Sequence, residues 1–507
     1  MAVCSFYSAM TSPISAYTCP ITRQQCVAPM TVCRSFPASH RNGADHGSLF
    51  LPFRNVSVNR RRGLCRNVKV GIGGRKVMSM VGGAQLEEKS KHSAPRENDV
   101  QTVVVVGAGL AGLATALALH RVGVKALVLE QSGNLRAEGT SLTLFPNAWR
   151  ALDTLGIADE LRGSFTNITG GRMRSNDGKV IKEFENSDCP GGPYEVRAVE
   201  RQALLKALNQ ALPSDTIMFN SRVKSIRKPR DMQSPTEVEL ENGNVIKTKV
   251  LVGCDGARSV VAQWMGLSEP RAVGQTAIRG LAEFNSGHQF QSRVEQIIGQ
   301  GVRAGLVPVT QYKVYWFILF NTTASVPSRI TDPNKIKEEA LRYMEGWPSD
   351  ILECICNTPP ESFNRSNLRD RWSIPLVTAQ EASNGITLAG DAAHPMTPNL
   401  GQGGCTSLED SVVLTRKLCD ALRGGKDEDP SVLSRKIATA LRDYENERWA
   451  RTFRLTVKSF VFGSALAWDS SVICFVRDNF ALPIIFRASV VLGSSKFDCG
   501  ALPPPLD

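Results

Sequence analysis

Carboxylates are nearly missing from the first 86 of the 507 residues: Asp45 stands alone against eleven Lys and Arg. That segment carries +10 (eleven cations less one acid) of the formal net charge of +12, so the rest of the chain is close to neutral. A nucleic-acid-binding surface is therefore unsupported in the body. No uninterrupted apolar run reaches the eighteen or so residues that a membrane span needs. Beyond residue 99 only three histidines occur, His120, His288 and His394, too scattered for a metal site. Eight of the thirteen cysteines lie outside the first 86 residues, without CxxC spacing, so neither a zinc site nor a disulfide framework is implied. A nucleophile beside a base is missing from the glycine-rich stretch GDAAHPMTPNLGQGG (390–404) as well.

The acid-poor opening, residues 1–86 beginning MAVCSFYSAMTSPISAY, is rich in Ser, Thr and Arg and has no long apolar core. That composition is expected of an organelle transit peptide and linker, plastid-directed first and mitochondrial second. Its glycines in VGIGGRK (70–76) have no strand before them and no helix after them, so they are not a ligand cradle.

TVVVVGAGLAGLATALALHRVGVKALVLEQ (102–131) reads as a strand, a glycine turn, a helix and a second strand ending in an acid. Gly107, Gly109 and Gly112 match GxGxxG: the first for the tight turn, the second for close approach of backbone to a pyrophosphate, the third for helix–strand packing. The span Gly107, Ala108, Gly109, Leu110, Ala111 and Gly112 opens the helix, whose free N–H groups favour phosphate. Glu130, with Gln131 after it, is placed to accept hydrogen bonds from ribose hydroxyls. Only one such cradle exists. The distant glycine stretch then suits a long cofactor held at both ends, FAD, better than a nicotinamide dinucleotide alone.

GAGLAG (107–112), GCDGARS (253–259) and GDAAHPMTPNLGQGG (390–404), in that order, resemble the group A FAD-dependent monooxygenases built on the para-hydroxybenzoate hydroxylase fold. Within that family the chain is most similar to plant proteins related to zeaxanthin epoxidase and salicylate hydroxylase. The resemblance covers about residues 100–430. It implies an α/β fold: a Rossmann-type FAD-binding domain, an inserted mixed β-sheet substrate domain and C-terminal helices. The expected boundaries are 100–175, 196–270 and 372–430 for the FAD domain, 176–195 and 271–371 for the substrate domain, and 431–507 for the helices.

The same resemblance assigns Asp391, after Gly390, to the ribityl or ribose hydroxyls. Pro398 and the loop Gly401, Gln402, Gly403 and Gly404 go to the flavin, and Asp255 with Gly256 to the pyrophosphate region and the transient visit of NAD(P)H. Family members often place an Arg a few residues after Ser259, where this chain has Ala262 and Gln263. Arg136 and Arg201 are expected beside the flavin. No residue is expected to act as a protein catalyst, because the flavin carries the chemistry. The implied reaction takes NAD(P)H and O2 and passes one oxygen atom, through a flavin C4a-hydroperoxide, to an aromatic or isoprenoid-like substrate.

Two alternatives stay open at this point. One is another flavoenzyme of this fold, a halogenase or a non-oxygenating oxidoreductase; DRWSIP (370–375) matches the halogenase WxWxIP except for Asp370. The other is an FAD-retaining regulatory protein without turnover. His394 is expected to shape the cofactor loop, Gln402 to act through its backbone, and Glu409 and Asp410 to lie in a helix's first turn, where acids are favoured. Tyr312, Tyr315, Trp316, Phe317 and Phe320 are expected in the core of the substrate sheet. The apolar C-terminal helices could touch a membrane surface.

Overall fold

The computed structural model describes residues 99–135, 140–227, 234–322, 330–372, 385–423 and 429–506. Four valines in a row, Val103 to Val106, form the end of the strand Val100–Val106 and are buried, as a strand covered on both faces requires. This strand pairs in parallel with Ala126–Leu129 on one side and with Val245–Gly253 on the other. The latter is in turn parallel to Ile386–Leu388, and Ile217–Met218 extends the opposite edge. The near end of Val245–Gly253 pairs antiparallel with Thr236–Leu240, which carries Val223–Arg227. Helix α1 (Leu110–Arg121) crosses between the first two strands, and α2 (Pro146–Leu155) follows the short strand Ser141–Leu144.

A second, mixed sheet has the order Asn364–Asp370, Arg271–Glu283, Lys313–Asn321, Val302–Thr310, Arg293–Ile298, Gly170–Ser175, Val180–Glu185. It takes Gly170–Ser175 as well as Val180–Glu185, so the substrate-side sheet starts before the expected boundary at residue 176. A two-residue period divides its aromatics. Trp316 and Phe320 point into a core with Ile336 and Ile351 from the helices Pro333–Tyr343 and Ser349–Cys356. Tyr315 and Phe317 occupy the opposite face, and Tyr312 is 51% exposed at the turn, so only part of the cluster is sheet core. Glycines leave room for these rings: a Cβ on Gly280 would meet Trp316 at 2.6 Å, and one on Gly305 would meet Phe317 at 2.3 Å.

Helix α3 (Gly403–Leu422) packs against α1, and the 37-residue α4 (Pro430–Leu466) packs against α3. Asp429 caps α4 by accepting from the Ser431 N–H at 2.7 Å, and Pro430 takes the first helical position, where its missing N–H is harmless.

Candidate functional site: a cleft where three glycine turns meet

The parallel register carries Val106, Leu129, Gly253 and Leu388 to one edge of the first sheet, so each motif begins where its strand ends. This is the carboxyl end of an open α/β sheet, where such folds bind ligands. Gly107 adopts φ +100°, and its N–H donates to Leu129 O at 2.7 Å. A Cβ there would stand 2.8 Å from Cys254 O, and one on Gly112 would stand 1.9 Å from Gly107 O. Gly109 differs: a Cβ meets nothing within 4 Å. Two glycines thus serve packing and the third faces open space in front of the α1 N-terminus. Leu110, Ala111 and Gly112 begin that helix with no acid in its first turn to compete for their N–H groups.

Glu130 is buried behind the turn. Its Oε2 accepts the Ala108 N–H at 2.8 Å and its Oε1 the Ser132 N–H at 2.9 Å. The carboxylate thereby shapes the cradle, and each oxygen retains a second acceptor position. Gln131 beside it is exposed.

In the middle motif Asp255 Oδ2 accepts the Val260 N–H at 2.7 Å, while Oδ1 is buried with no protein partner. Desolvation pushes this carboxyl above its ordinary range, against the pull of Ser259 and the Val260 N–H. Gly256 follows at φ +82° with open space at its Cβ position. An orphaned buried acceptor beside an empty glycine fits a hydroxyl- or water-bearing ligand.

Gly390 makes the decisive contact. At φ +63°, its Cβ position lies 2.7 Å from Ala111 Cβ and 2.9 Å from Ser407 Oγ, so only glycine lets the third motif rest on the start of α1. Asp391 next to it opens into the cleft, yet surrounding protein desolvates it and raises its pKa, with His394 and Arg201 pulling the other way. Arg201 is exposed at the start of the helix Arg201–Gln210, near enough to act on Asp391 by charge. Pro398 is exposed, and Gly401 turns at φ +64° against the Phe145 ring. Gln402 is the N-cap of α3, and Gly403 and Gly404 follow with free N–H groups. Gln402 acts through its side chain as well: buried, it accepts from Asn147 Nδ2 at 3.0 Å. Arg136 lies outside the described residues.

Behind the loop is a set of charges that sequence patterning assigned to the wrong place. Glu409 and Asp410 sit in the second turn of α3, fully buried, not in its first turn. Asp410 Oδ2 accepts the Gly390 N–H at 2.8 Å and meets His394 Nε2 at 2.6 Å; Oδ1 pairs with Arg448 Nε at 2.6 Å. Glu409 receives Asn147 Nδ2 at 2.6 Å and the guanidiniums of Arg451 and Arg448. Burial alone would raise both acids, but the cations outweigh it: Glu409 stays below its ordinary value, and His394 with Arg448 holds Asp410 at about 2. Arg448, Arg451 and Asn147 had no spacing signal. The one available hint was a Glu-Asp pair inside the apolar run SLEDSVVL, where buried acids demand partners.

The second sheet turns Arg279, Tyr315, Phe317 and Arg303 towards the first domain. Arg279 Nη1 donates to Ser366 Oγ at 2.8 Å. Arg303 is 4% exposed, bonds Asn399 Oδ1 in the loop that carries Pro398, and has no carboxylate partner among the described residues. Burial lowers its pKa to about 10. Among the described residues no group of His, Cys, Asp and Glu could hold a metal ion.

A family model described as "FAD binding domain" matches residues 100–442. The chain belongs to the FAD-binding-domain family. It is 36% identical over 410 residues to "Monooxygenase 2" of Arabidopsis thaliana, covering 79% of this chain and 98% of that one. It is 31% identical over 350 residues to "Zeaxanthin epoxidase, chloroplastic" of an Oncidium hybrid cultivar, covering 64% of this chain and 50% of the relative. The solved structure of Klebsiella pneumoniae HpxO complexed with FAD and uric acid superposes with TM-score 0.65 at 24% identity, over 77% of this chain and 97% of that one. The protein is an FAD-dependent monooxygenase, an oxidoreductase using NAD(P)H and O2. The Asp370 that interrupts the halogenase-like pattern is fully buried and ion-paired with Arg271 at 2.7 Å, and Ser373, Ile374 and Pro375 lie outside the described residues.

This family membership gives the open space at Gly109 and the unpartnered Asp255 oxygen an occupant that their chemistry fits. Replacing Asp391 by Ala should weaken FAD binding by about 1–3 kcal/mol, the range for losing a hydrogen bond to a charged group. Fluorescence titration of FAD into apoprotein measures this. An unchanged dissociation constant would remove Asp391 from the cofactor site.

Proposed function

We propose that the enzyme inserts one oxygen atom into a small organic substrate, aromatic or isoprenoid-like, lodged between the inner face of the second sheet and the Pro398–Gly404 loop. The observation carrying this reading is the contact of Gly390 with Ala111, which brings the first and third glycine turns together, while Arg303 of the second sheet reaches Asn399 in the adjoining loop. FAD, when bound, supplies the redox chemistry that takes electrons from NAD(P)H and activates O2.

The protein's own part is holding and shielding. The α1 N-terminus and Gly109 would receive the pyrophosphate, Glu130 the adenosine ribose, and Asp255 and Asp391 hydroxyl groups along the cofactor. The Gly403, Gly404 and Cys405 N–H groups, at the positive end of α3, would favour negative charge on a ring bound there by about 0.3–1 kcal/mol. Phe317 and Tyr315, on the sheet face that also carries Arg303, would help keep water away from the reacting atoms.

Incubating the full chain with FAD, NADPH and ¹⁸O2 against phenolic and isoprenoid panels tests the reaction. A product heavier by one ¹⁸O atom is expected, and NADPH oxidation giving only peroxide with every compound contradicts it. The basic, acid-poor segment 1–86 directs the protein to the plastid in this reading. Deleting those residues should abolish uptake by isolated chloroplasts while leaving flavin content intact. Undiminished uptake would sink the assignment.

A further inference from the structure

Thirteen large hydrophobic side chains are exposed among the described residues, and eight of them fall between Val461 and Ile484. Val472, Phe475 and Phe480 are 72%, 62% and 60% exposed, with Val476, Ile484 and Trp468 beside them in sequence. Scattered single apolar residues are ordinary on a surface, but a concentration like this marks an interaction site. The segment is also anchored. Cys474, Arg477, Leu482 and Phe486 point inward and are buried. Arg477 donates from Nη1 to Leu466 O at 2.9 Å and from Nη2 to Gly299 O at 3.1 Å, and it pairs with Asp478 at 2.6 Å. Phe486 packs edge-to-face on Phe184 at 5.0 Å. The inward pins leave the apolar side chains facing out from a fixed backbone.

Charge and geometry select the occupant. From Ser470 to Val491 the sole acid is Asp478, already paired with Arg477. Flanking the patch in sequence, Arg454 and Lys458 on α4 and Arg487 after Ile484 have no carboxylate partner among the described residues, while Asp469 is the one exposed acid in the patch itself. A two-fold contact with a second copy would bring the same cation-rich patch together twice, with Asp469 the one exposed acid to offset it, whereas anionic lipid headgroups would neutralise the cations. No single helix among the described residues is long and apolar enough to cross a membrane, and α4 meets the segment Ser471–Ile485 at 112°. Such a bend suits a segment lying in the plane of one leaflet, with aromatic and aliphatic side chains at the headgroup–acyl boundary.

We propose that this face docks peripherally on an anionic bilayer, with Val472, Phe475, Phe480 and Ile484 among the acyl chains and Arg454, Lys458 and Arg487 against the headgroups. Resting on the function proposed above, it also narrows the substrate to an apolar compound drawn from that leaflet. The patch is joined to the end of the substrate sheet: the Gly301 N–H donates to Trp468 O at 3.0 Å and Asn321 Nδ2 to Ala467 O at 2.8 Å. Gly301 leads directly into the strand that carries Arg303 and faces the flavin loop.

Flotation of the FAD-loaded full chain with vesicles of phosphatidylcholine and phosphatidylglycerol tests the docking, with Phe475→Ser/Phe480→Ser compared against wild type. Both proteins keep the basic first 86 residues, so any contribution from that segment cancels. Partitioning is expected to fall about tenfold or more in the double variant, from the apolar area no longer buried, with flavin content unchanged. Brominated lipid should quench tryptophan emission in wild type and less so in Trp468→Phe, a readout that survives even if the double variant folds poorly. Equal flotation of variant and wild type, no flotation of wild type, or a dimer in solution dissolved by the double substitution would each overturn the proposal. These readouts need no turnover, so a failed oxygenation assay and a failed docking assay are distinguishable.

Discussion

Gly109→Val should give a folded protein without flavin, whereas Gly112→Val should fail to fold. The two glycines are three residues apart in one motif, yet they face different constraints. A Cβ at Gly109 meets no heavy atom within 4 Å, so a valine fits the protein and fills the space that a pyrophosphate needs. A Cβ at Gly112 stands 1.9 Å from the Gly107 carbonyl oxygen, inside the packing of α1 on the strand Val100–Val106, where nothing can yield. Bound FAD stabilises the folded state by mass action, so Gly109→Val must be compared with wild-type apoprotein. Its melting temperature should then be nearly unchanged, while FAD affinity falls on the order of 100-fold, ~2.7 kcal/mol. Circular dichroism and flavin absorbance on the purified proteins separate the two outcomes. Retained yellow colour in Gly109→Val contradicts the cradle.

Asp410→Ala should be among the most damaging changes away from the cofactor itself. It strips Arg448 of one of two carboxylates, orphans the Gly390 N–H and leaves His394 without its partner, all at buried positions. Removing one partner of a buried charge pair costs about 3–5 kcal/mol, which for a body of this size lowers the melting temperature by roughly 4–6 °C. Because Asp410 holds the Gly390 turn, FAD affinity should drop as well, although the residue touches no cofactor.

The pH dependence has a definite sign. The folded pKa of about 2 lies below the ordinary 3.8, so the stabilisation is complete above about pH 4 and disappears as pH falls through about 2. Glu409, also depressed, acts in the same direction. Denaturant melts between pH 6 and 2, as order-of-magnitude limits of that window, should therefore show a steeper loss in wild type than in Asp410→Asn. Parallel curves would show that the pair carries no such linkage.

Local pattern made the strand–turn–helix–strand frame around the first glycine motif readable. Gly107, Gly109, Gly112 and Glu130 belong to one strand–turn–helix–strand unit, in which spacing and chemistry are bound together within thirty residues. The strand Ile386–Leu388 running into the turn at Gly390 and Asp391 was legible for the same reason. The mixed second sheet was legible as a change to alternating strands, but not its edge: Gly170–Ser175 joins through pairing with Arg293–Ile298, more than a hundred residues away, and such register leaves no local trace. The Glu409–Asp410 cluster was hidden in the same way, because Arg448 and Arg451 lie on another helix and become partners only when α4 packs on α3. Tyr315 and Phe317 were assigned to the core because a strand's two faces look alike in sequence when both are covered. Gln402 was read as a backbone position because Asn147, 255 residues earlier, is its partner.

The central claim is that two glycine turns nearly three hundred residues apart grip one flavin. Extraction and quantification of flavin from the purified full chain, before and after incubation with FAD, test it most directly. One FAD per chain, lost in Gly109→Val and weakened in Asp391→Ala, is the expected result. A colourless protein that takes up no FAD when supplied with it would contradict the account.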